Sequence, residues 1–265
     1  MPWLVAVRSE PGTRRGRQAI RSVADLGAVE AGVDREHLPA LVERALRDGV
    51  DGVAVAGADA DLAALAAAVI DAGAADRIRL GLVPVGGRSS LLRMFGLPHR
   101  SGPADHLRGG GEYRCDLIHL TTTTGPRIVA AWAGAGIASA AAGRLRRRGA
   151  AAEVTARTPN RTLVHRARGA LLANSQFWGD LNPAPRAMLV DGRFDLQLLL
   201  RERSRALLAA MRTGRHTGRP DVVRTAVTAV SLSTDRPWRV AADGEPAGQT
   251  PLEALVLDGA IRLAI

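Results

Sequence analysis

The stretch Val53 to Pro98 reads VAVAGADADLAALAAAVIDAGAADRIRLGLVPVGGRSSLLRMFGLP. It opens on a short apolar run, followed by a Gly/Ala/Asp turn and a segment with helical periodicity. A second apolar run and a second glycine turn lead into another helix. The pattern predicts a β-loop-α-β-loop-α unit with both loops at the carboxyl ends of their strands. Open α/β sheets bind ligands there, because backbone N–H groups and helix N-termini converge on one spot. The stretch therefore predicts a phosphate or nucleotide site.

Each turn has two readings. In Gly57-Ala58-Asp59-Ala60-Asp61 the small residues let a phosphate approach the backbone, and an acidic side chain there can orient a metal ion or a ribose. Alternatively Asp61 caps the helix and Asp59 sits in the turn. In Pro84-Val85-Gly86-Gly87-Arg88-Ser89-Ser90 either serine can serve as an N-cap. Two such turns at equivalent ends of neighbouring strands argue for a site more than either does alone.

Working outward, the chain of 265 residues is long enough for one large domain or two small ones. Its 46% hydrophobic and 23% charged content marks a globular protein. The net charge is +10, and all 36 basic residues are arginine. Such a surface suits an anionic membrane, a nucleotide or a nucleic acid, and charge alone does not choose among them. The single Cys115 excludes an intrachain disulfide and suits a reducing, cytoplasmic interior. The opening MPWLVAVRSEPG lacks the layout of a secretory signal. Ile128 to Gly143, followed by Arg144, Arg146, Arg147 and Arg148, is mostly Ala and Gly. It falls short of the roughly 20 apolar residues of a membrane span, so a buried element in a soluble protein is expected.

Upstream, Leu4 to Val7 reads as a buried strand. The segment Ser9 to Thr13 with Arg14, Arg15 and Arg17 reads as a loop, either solvated or phosphate-holding, and Leu38 to Arg47 as a helix. Downstream, the Gly-rich polar segment around Arg100 to Gly111 predicts a boundary. Residues 1–108 form an α/β domain in this reading, and 109–255 a β-rich domain, with a last strand within 256–265. Strands are expected at Cys115–Thr124, Ala151–Thr158, Thr162–His165, Val222–Ser233, Trp238–Ala241 and Ile261–Ile265. Asp195 to Arg212 is expected as a helix.

Other chemistry is excluded or weak. The six histidines show no metal-ligand spacing, and a chain without lysine has no Walker A loop. The glycines of Trp132 to Ser139 lack a preceding strand and a following acid, so they form no dinucleotide fingerprint. Asp243-Gly244-Glu245-Pro246 offers two acids flanking a glycine, a base and its partner. Asp-Gly is also the commonest hairpin signal, and a plain turn fits the residues as well. Four Trp, three Phe and one Tyr give little material for stacking on bases, so no nucleic-acid partner is expected.

Jointly the motifs resemble the diacylglycerol kinase/sphingosine kinase superfamily, in its bacterial soluble lipid kinase form. Gly57 to Leu62 aligns with the family's G-G-D-G-T-L, and Pro84 to Arg93 with P-x-G-T-x-N-D-F-A-R, followed by Gly96-Leu97-Pro98. Ala173-Asn174-Ser175 to Gly179 stands where G-N-G-x-x-x-G is usual. Pro183-Ala184-Pro185-Arg186-Ala187 and Asp191-Gly192-Arg193-Phe194-Asp195 are similar to A-P-x-A and D-G-x-L-D. His216 precedes a strand as the family's histidine does, and Asp243 to Pro246 matches D-G-E-P.

The resemblance implies an α/β domain like those of NAD kinases and phosphofructokinases, packed against a β-sandwich, with the last strand returning to the first domain. It implies ATP on the turns formed by Gly57, Ala58, Asp59, Ala60, Asp61, Gly86, Gly87, Arg88 and Ser89. Mg²⁺ would assist near Asp191 and Asp195, and Asp59 would organise the phosphates or metal. A membrane lipid would present its hydroxyl at the interdomain cleft to Asp243, the general base, with Glu245 beside it. Phosphoryl transfer needs mainly positioning and charge neutralisation. The implied activity is transfer of the γ-phosphoryl of ATP to a diacylglycerol or sphingoid hydroxyl, at an anionic membrane docked through arginines near 144–148 or 212–219. A homodimer is compatible with this.

The chain departs from the pattern at its turns. Ala58 and Ala60 replace glycines, Asp61 replaces the threonine, and Gly87, Ser89 and Ser90 replace Thr, Asn and Asp. Arg88 and the Arg14, Arg15, Arg17 group could supply replacement phosphate contacts. These changes give an alternative: a catalytically impaired homologue that binds lipid or nucleotide without efficient turnover.

Overall fold

The computed structural model describes residues 3–85, 87–97, 102–109, 111–137, 151–200 and 205–265. The chain divides into two units, residues 1–115 with 259–265, and residues 116–258.

The first unit alternates strands and helices: β1 (Trp3–Val7), α1 (Arg14–Val23), β2 (Gly27–Ala31), α2 (Leu38–Asp48), β3 (Gly52–Gly57), α3 (Asp59–Asp71), β4 (Arg79–Pro84) and the short α4 (Ser90–Met94) and α5 (His106–Gly109). β1 and β3, WLVAV and GVAVAG, are buried at every residue, as strands of a parallel sheet covered on both faces must be. The order is β2-β1-β3-β4, all parallel. The chain turns outward from β1 to β2, then crosses back to β3 and β4, so the strand order reverses between β1 and β3. The loops after β1, β3 and β4 all leave the same edge. Two devices fix the helices: Gly49, at φ 67°, ends α2, and Thr13 caps α1 by accepting from Gly16 N at 3.0 Å.

The second unit continues with β5 (Glu112–Thr122), β6 (Gly125–Val129), β7 (Trp132–Ala135), β8 (Ala152–Arg157), β9 (Thr162–Ala167), β10 (Gly169–Ala173) and β11 (Phe194–Leu199). Then come α6 (Arg205–Arg212), β12 (Val222–Val227), β13 (Ala229–Thr234), β14 (Arg239–Ala242), β15 (Glu245–Gln249) and β16 (Leu252–Ala264). One antiparallel sheet runs β12-β11-β10-β7-β14-β15. The facing sheet contains β16, β13, β8 and β9, with β5 paired to β16 and β6. Ile118, Val154, Leu172, Leu196, Leu198, Leu232 and Val240 share one core, which makes this unit a β-sandwich. The chain passes between units within β5 and again within β16. Leu252–Leu255 pair with β13, whereas Arg262 and Leu263 pair in parallel with Arg79 and Leu80 of β4 in the first unit.

Three expectations are corrected. Asp195 to Arg212 is not one helix: the strand β11 comes first, and the helix α6 begins at Arg205. The run DLQLLL is apolar enough for either structure, but β11 is buried on both faces. Leu196 and Leu198 enter the sandwich core while Asp195 and Gln197 are buried on the other side. Arg14, Arg15 and Arg17 lie in α1 rather than in a loop, and Val222–Ser233 is two strands, β12 and β13, in different sheets. The Arg144 to Arg148 cluster, and Ile128–Gly143 beyond Ile137, lie outside the described residues.

Candidate functional site

In open α/β sheets the crevice where strand order reverses is the expected ligand position. Here that crevice, between the ends of β1 and β3, holds a carboxylate of the chain itself. Asp61 is the third residue of α3, and its side chain reaches back so that Oδ2 accepts from Ala58 N at 2.8 Å. Its Oδ1 accepts from Arg8 Nε at 3.0 Å and from Arg35 Nε at 2.8 Å. Arg8 follows β1, Arg35 lies in a 3-10 turn after β2, and Arg8 also reaches Val33 O and Asp34. A Cβ added at Gly57 would overlap the Asp61 carboxylate, so only glycine admits this arrangement. Asp61 thus sits where a helix N-terminus and two guanidinium groups would otherwise attract an anion. The N-cap itself is Ala58, so the expectation of Asp61 at the cap is corrected by three residues of register. Ala60 is buried in the first turn of α3, and Ala58 is exposed.

Asp59 faces the second turn. Its Oδ1 accepts from Ser89 Oγ, and its Oδ2 accepts from Ser90 N at 2.8 Å. Ser89 is the N-cap of α4, its Oγ accepting from Leu92 N at 3.0 Å. Asp59 is therefore a bridge that ties the start of α3 to the start of α4. Burial pushes its pKa above the usual aspartate value, against the lowering effect of the Ser89 and Ser90 hydrogen bonds. Gly87 and Arg88 are exposed on the same loop, and no atom lies near a Cβ built on Gly87. Gly86 lies outside the described residues.

In the second unit Asp243 and Gly244 are the two-residue turn between β14 and β15, with φ of 47° and 94°. Positive φ at both central positions is the primed hairpin geometry that Asp-Gly favours. The hairpin reading holds, and the turn also places the Asp243 carboxylate. Its Oδ2 accepts from Ala130 N at 2.7 Å, and its Oδ1 accepts from Ala131 N at 2.9 Å and Trp132 N at 3.0 Å. Three successive backbone donors hold a half-buried carboxylate, while Glu245 beside it is exposed.

Asp195 is buried on β11, and both its oxygens are taken by Arg224 of β12, at 2.9 Å from Nε and 2.7 Å from Nη2. Burial raises its pKa, with the Arg224 pairing opposing and the neighbouring Asp191 charge adding to the rise. Asp191 is exposed, and its Oδ1 accepts from Arg193 N at 3.2 Å. A bidentate guanidinium on one aspartate leaves this pair poorly suited to Mg²⁺. Among the described residues no group of three or more His, Cys, Asp or Glu side chains is arranged to hold a metal ion. His216 is buried, its Nε2 at 3.1 Å from Gln197 Oε1, and burial holds its pKa below the usual histidine value.

Within the first unit Gly57 to Asp61 come together with Ser89; within the second stand Asp243 with its turn and Asp195 with Arg224. Arg8, Arg35 and Arg224 are additions. Arg8 was findable, because it directly follows a strand whose end must share the edge of the two turns. Arg35 and Arg224 carry no sequence signal, since their partners lie 26 and 29 residues away.

Residues 144–265 match the family model described as the YegS C-terminal NAD kinase beta sandwich-like domain. A comparison with curated proteins finds no match. Two solved structures of a candidate diacylglycerol kinase from Bacillus anthracis str. Sterne are similar to the chain at TM-score 0.77. They show 14% and 15% identity over 99% of this chain and 96% and 97% of theirs. A third, described as a diacylglycerol kinase from the same strain, gives TM-score 0.73 at 14% identity, over 99% of this chain and 96% of its own. This fold is one compatible with nucleotide and metal use. No helix among the described residues is long and apolar enough to cross a membrane. With an α/β unit whose sheet the final strand rejoins, and a sandwich of the matched type, the chain shares the fold of these solved structures.

Proposed function

We propose that the chain is a lipid kinase-like protein that binds lipid, or a nucleotide, without efficient phosphoryl transfer. One observation carries this reading: the Asp61 carboxylate occupies the turn after β3, bonded to Ala58 N and to Arg8 and Arg35. A triphosphate brought to this turn meets a fixed negative charge, and Arg8 and Arg35 beside it are already engaged. Asp59, the other acid of the turn, spends both oxygens on Ser89 and Ser90. On the acceptor side, Asp243 keeps an ordered carboxylate at a turn that suits recognition of a lipid hydroxyl.

The test combines calorimetry with a phosphorylation assay, using ATP with Mg²⁺ and micelles of diacylglycerol or a sphingoid base. The expected result is lipid binding with weak or no nucleotide binding and no phospholipid above background. Asp61→Thr, which removes the internal charge, is expected to strengthen nucleotide binding by about tenfold or more, the scale of one charge-assisted contact. Efficient turnover by the unaltered chain, abolished by Asp243→Asn, would overturn this reading. That result would establish the second reading, a working kinase passing the γ-phosphoryl of ATP to a lipid hydroxyl, with Asp243 receiving the hydroxyl proton. The retained Asp243 to Pro246 turn is the observation in its favour.

A further inference from the structure

Asn174 and Asp243 grip the same stretch of backbone from opposite sides. Asn174 Nδ2 donates to Ala130 O at 3.0 Å and to Asp116 O at 2.7 Å. The backbone N–H groups of Asn174 and Ser175 both donate to Ala131 O, each at 2.9 Å. Ala130 O and Ala131 N belong to one peptide group, and Ala131 O and Trp132 N to the next. Both of those N–H groups donate to Asp243 Oδ1. Each peptide therefore accepts a hydrogen bond at its oxygen and donates one from its nitrogen to the same carboxylate oxygen. A peptide group so polarised is a stronger donor than an isolated one.

The orientation of the Asn174 amide follows from its neighbours. A flipped carboxamide would set its oxygen against two carbonyl oxygens, so Nδ2 must face Ala130 and Asp116. Asn174 is fully buried, and its Oδ1 has no hydrogen-bond partner among the described residues. A residue there for packing alone would be apolar, because a buried unpaired acceptor is unfavourable. The amide is explained by what its nitrogen does to Ala130 O.

We infer that Asn174 is a positioning residue for Asp243, acting through the Ala130–Ala131 peptide to orient and strengthen the donors that hold the carboxylate. The functional meaning rests on the reading of Asp243 as the contact for a lipid hydroxyl, whereas the relay itself does not depend on lipid.

Amide NMR of the full chain separates the two. Asn174→Ala removes the donor to Ala130 O and leaves the backbone donors to Ala131 O in place. The Ala131 N–H resonance is expected to move upfield by more than that of Ala130, whose own donor lies outside the relay. Equal shifts at Ala130, Ala131 and Trp132, or none, would overturn the inference. Should Asn174→Ala fail to fold, a pH titration of the unaltered chain decides instead. The Asn174 side-chain N–H₂ signals should follow the same titration curve as the Asp243 carboxylate carbon, and signals that stay still while that carbon titrates would overturn it. In a parallel arm with diacylglycerol micelles, Asn174→Ala should weaken lipid binding about fivefold, the size of one lost hydrogen bond. The relay pattern without any lipid binding by the unaltered chain supports the relay and removes the lipid reading.

Discussion

Asp59 and Asp61, two residues apart, show how context assigns roles to identical side chains. Asp61 is paired with two cations at the sheet edge, while Asp59 is buried and accepts from Ser89 and Ser90. Asp59→Ala leaves a buried hydroxyl and a buried backbone N–H without their acceptor, a loss of about 1 to 3 kcal/mol for each unsatisfied group. Urea denaturation should register it as a lower midpoint at unchanged slope. Asp59→Asn keeps one acceptor and removes the buried charge, so it is expected to be milder. The pH dependence has a definite sign. With its folded pKa raised above 3.8, Asp59 contributes stability fully present below that value and lost as pH rises through the folded one. The two histidines buried among the described residues act oppositely. His106 and His216 both have pKa values depressed by burial below 6.5, so stability falls as pH drops below about 6.5. Each contributes at most about 1.4 kcal/mol per pH unit. Denaturation midpoints between about pH 7.5 and about pH 5.5 should decline in the unaltered chain and decline less in His216→Gln.

At the scale of elements, α1 packs closely against the loop that precedes it. A Cβ on Gly16 would overlap Glu10 O, so Gly16→Ala must displace the loop after β1 or shift the helix. The expected loss is about 1 to 3 kcal/mol, readable as a thermal shift, and unchanged stability would show that the loop yields freely. How much of this was legible in the sequence varied with the kind of signal. The βαβα unit from Val53 was readable because its strands are continuous apolar runs and its breaks are glycine turns. β11 was misread because DLQLLL is buried on both faces, leaving no alternation to distinguish a strand from a helix. α1 was hidden by its arginines, which look like a solvated loop until Thr13 is seen as a cap. Of the candidate site, the residues themselves were legible and their engagements were not. Nothing in Gly57 to Asp61 reveals that Arg8, 53 residues away, will claim the Asp61 carboxylate. Likewise the Asp243 turn was readable as a hairpin, but its three donors lie 111 to 113 residues upstream.

For the whole molecule, the net charge of +10, with arginine supplying all 36 Lys/Arg positions, would suit an anionic surface. The proposed lipid role predicts sedimentation with vesicles containing anionic lipid, weakening as salt shortens the screening length from about 10 Å at 0.1 M. Binding indifferent to salt would exclude this electrostatic docking. The covalent path of the chain carries a different consequence. Arg262 and Leu263 of β16 lie beside β4, so the sheet of the first unit receives a strand made after the entire sandwich. During synthesis the first unit must wait, with one flank of β4 unpaired, until nearly 180 further residues have left the ribosome. Completion of the first unit therefore does not follow the order from the N-terminus onward that is usual for domains. The sandwich can form first, and the half that carries the two glycine turns is sealed last.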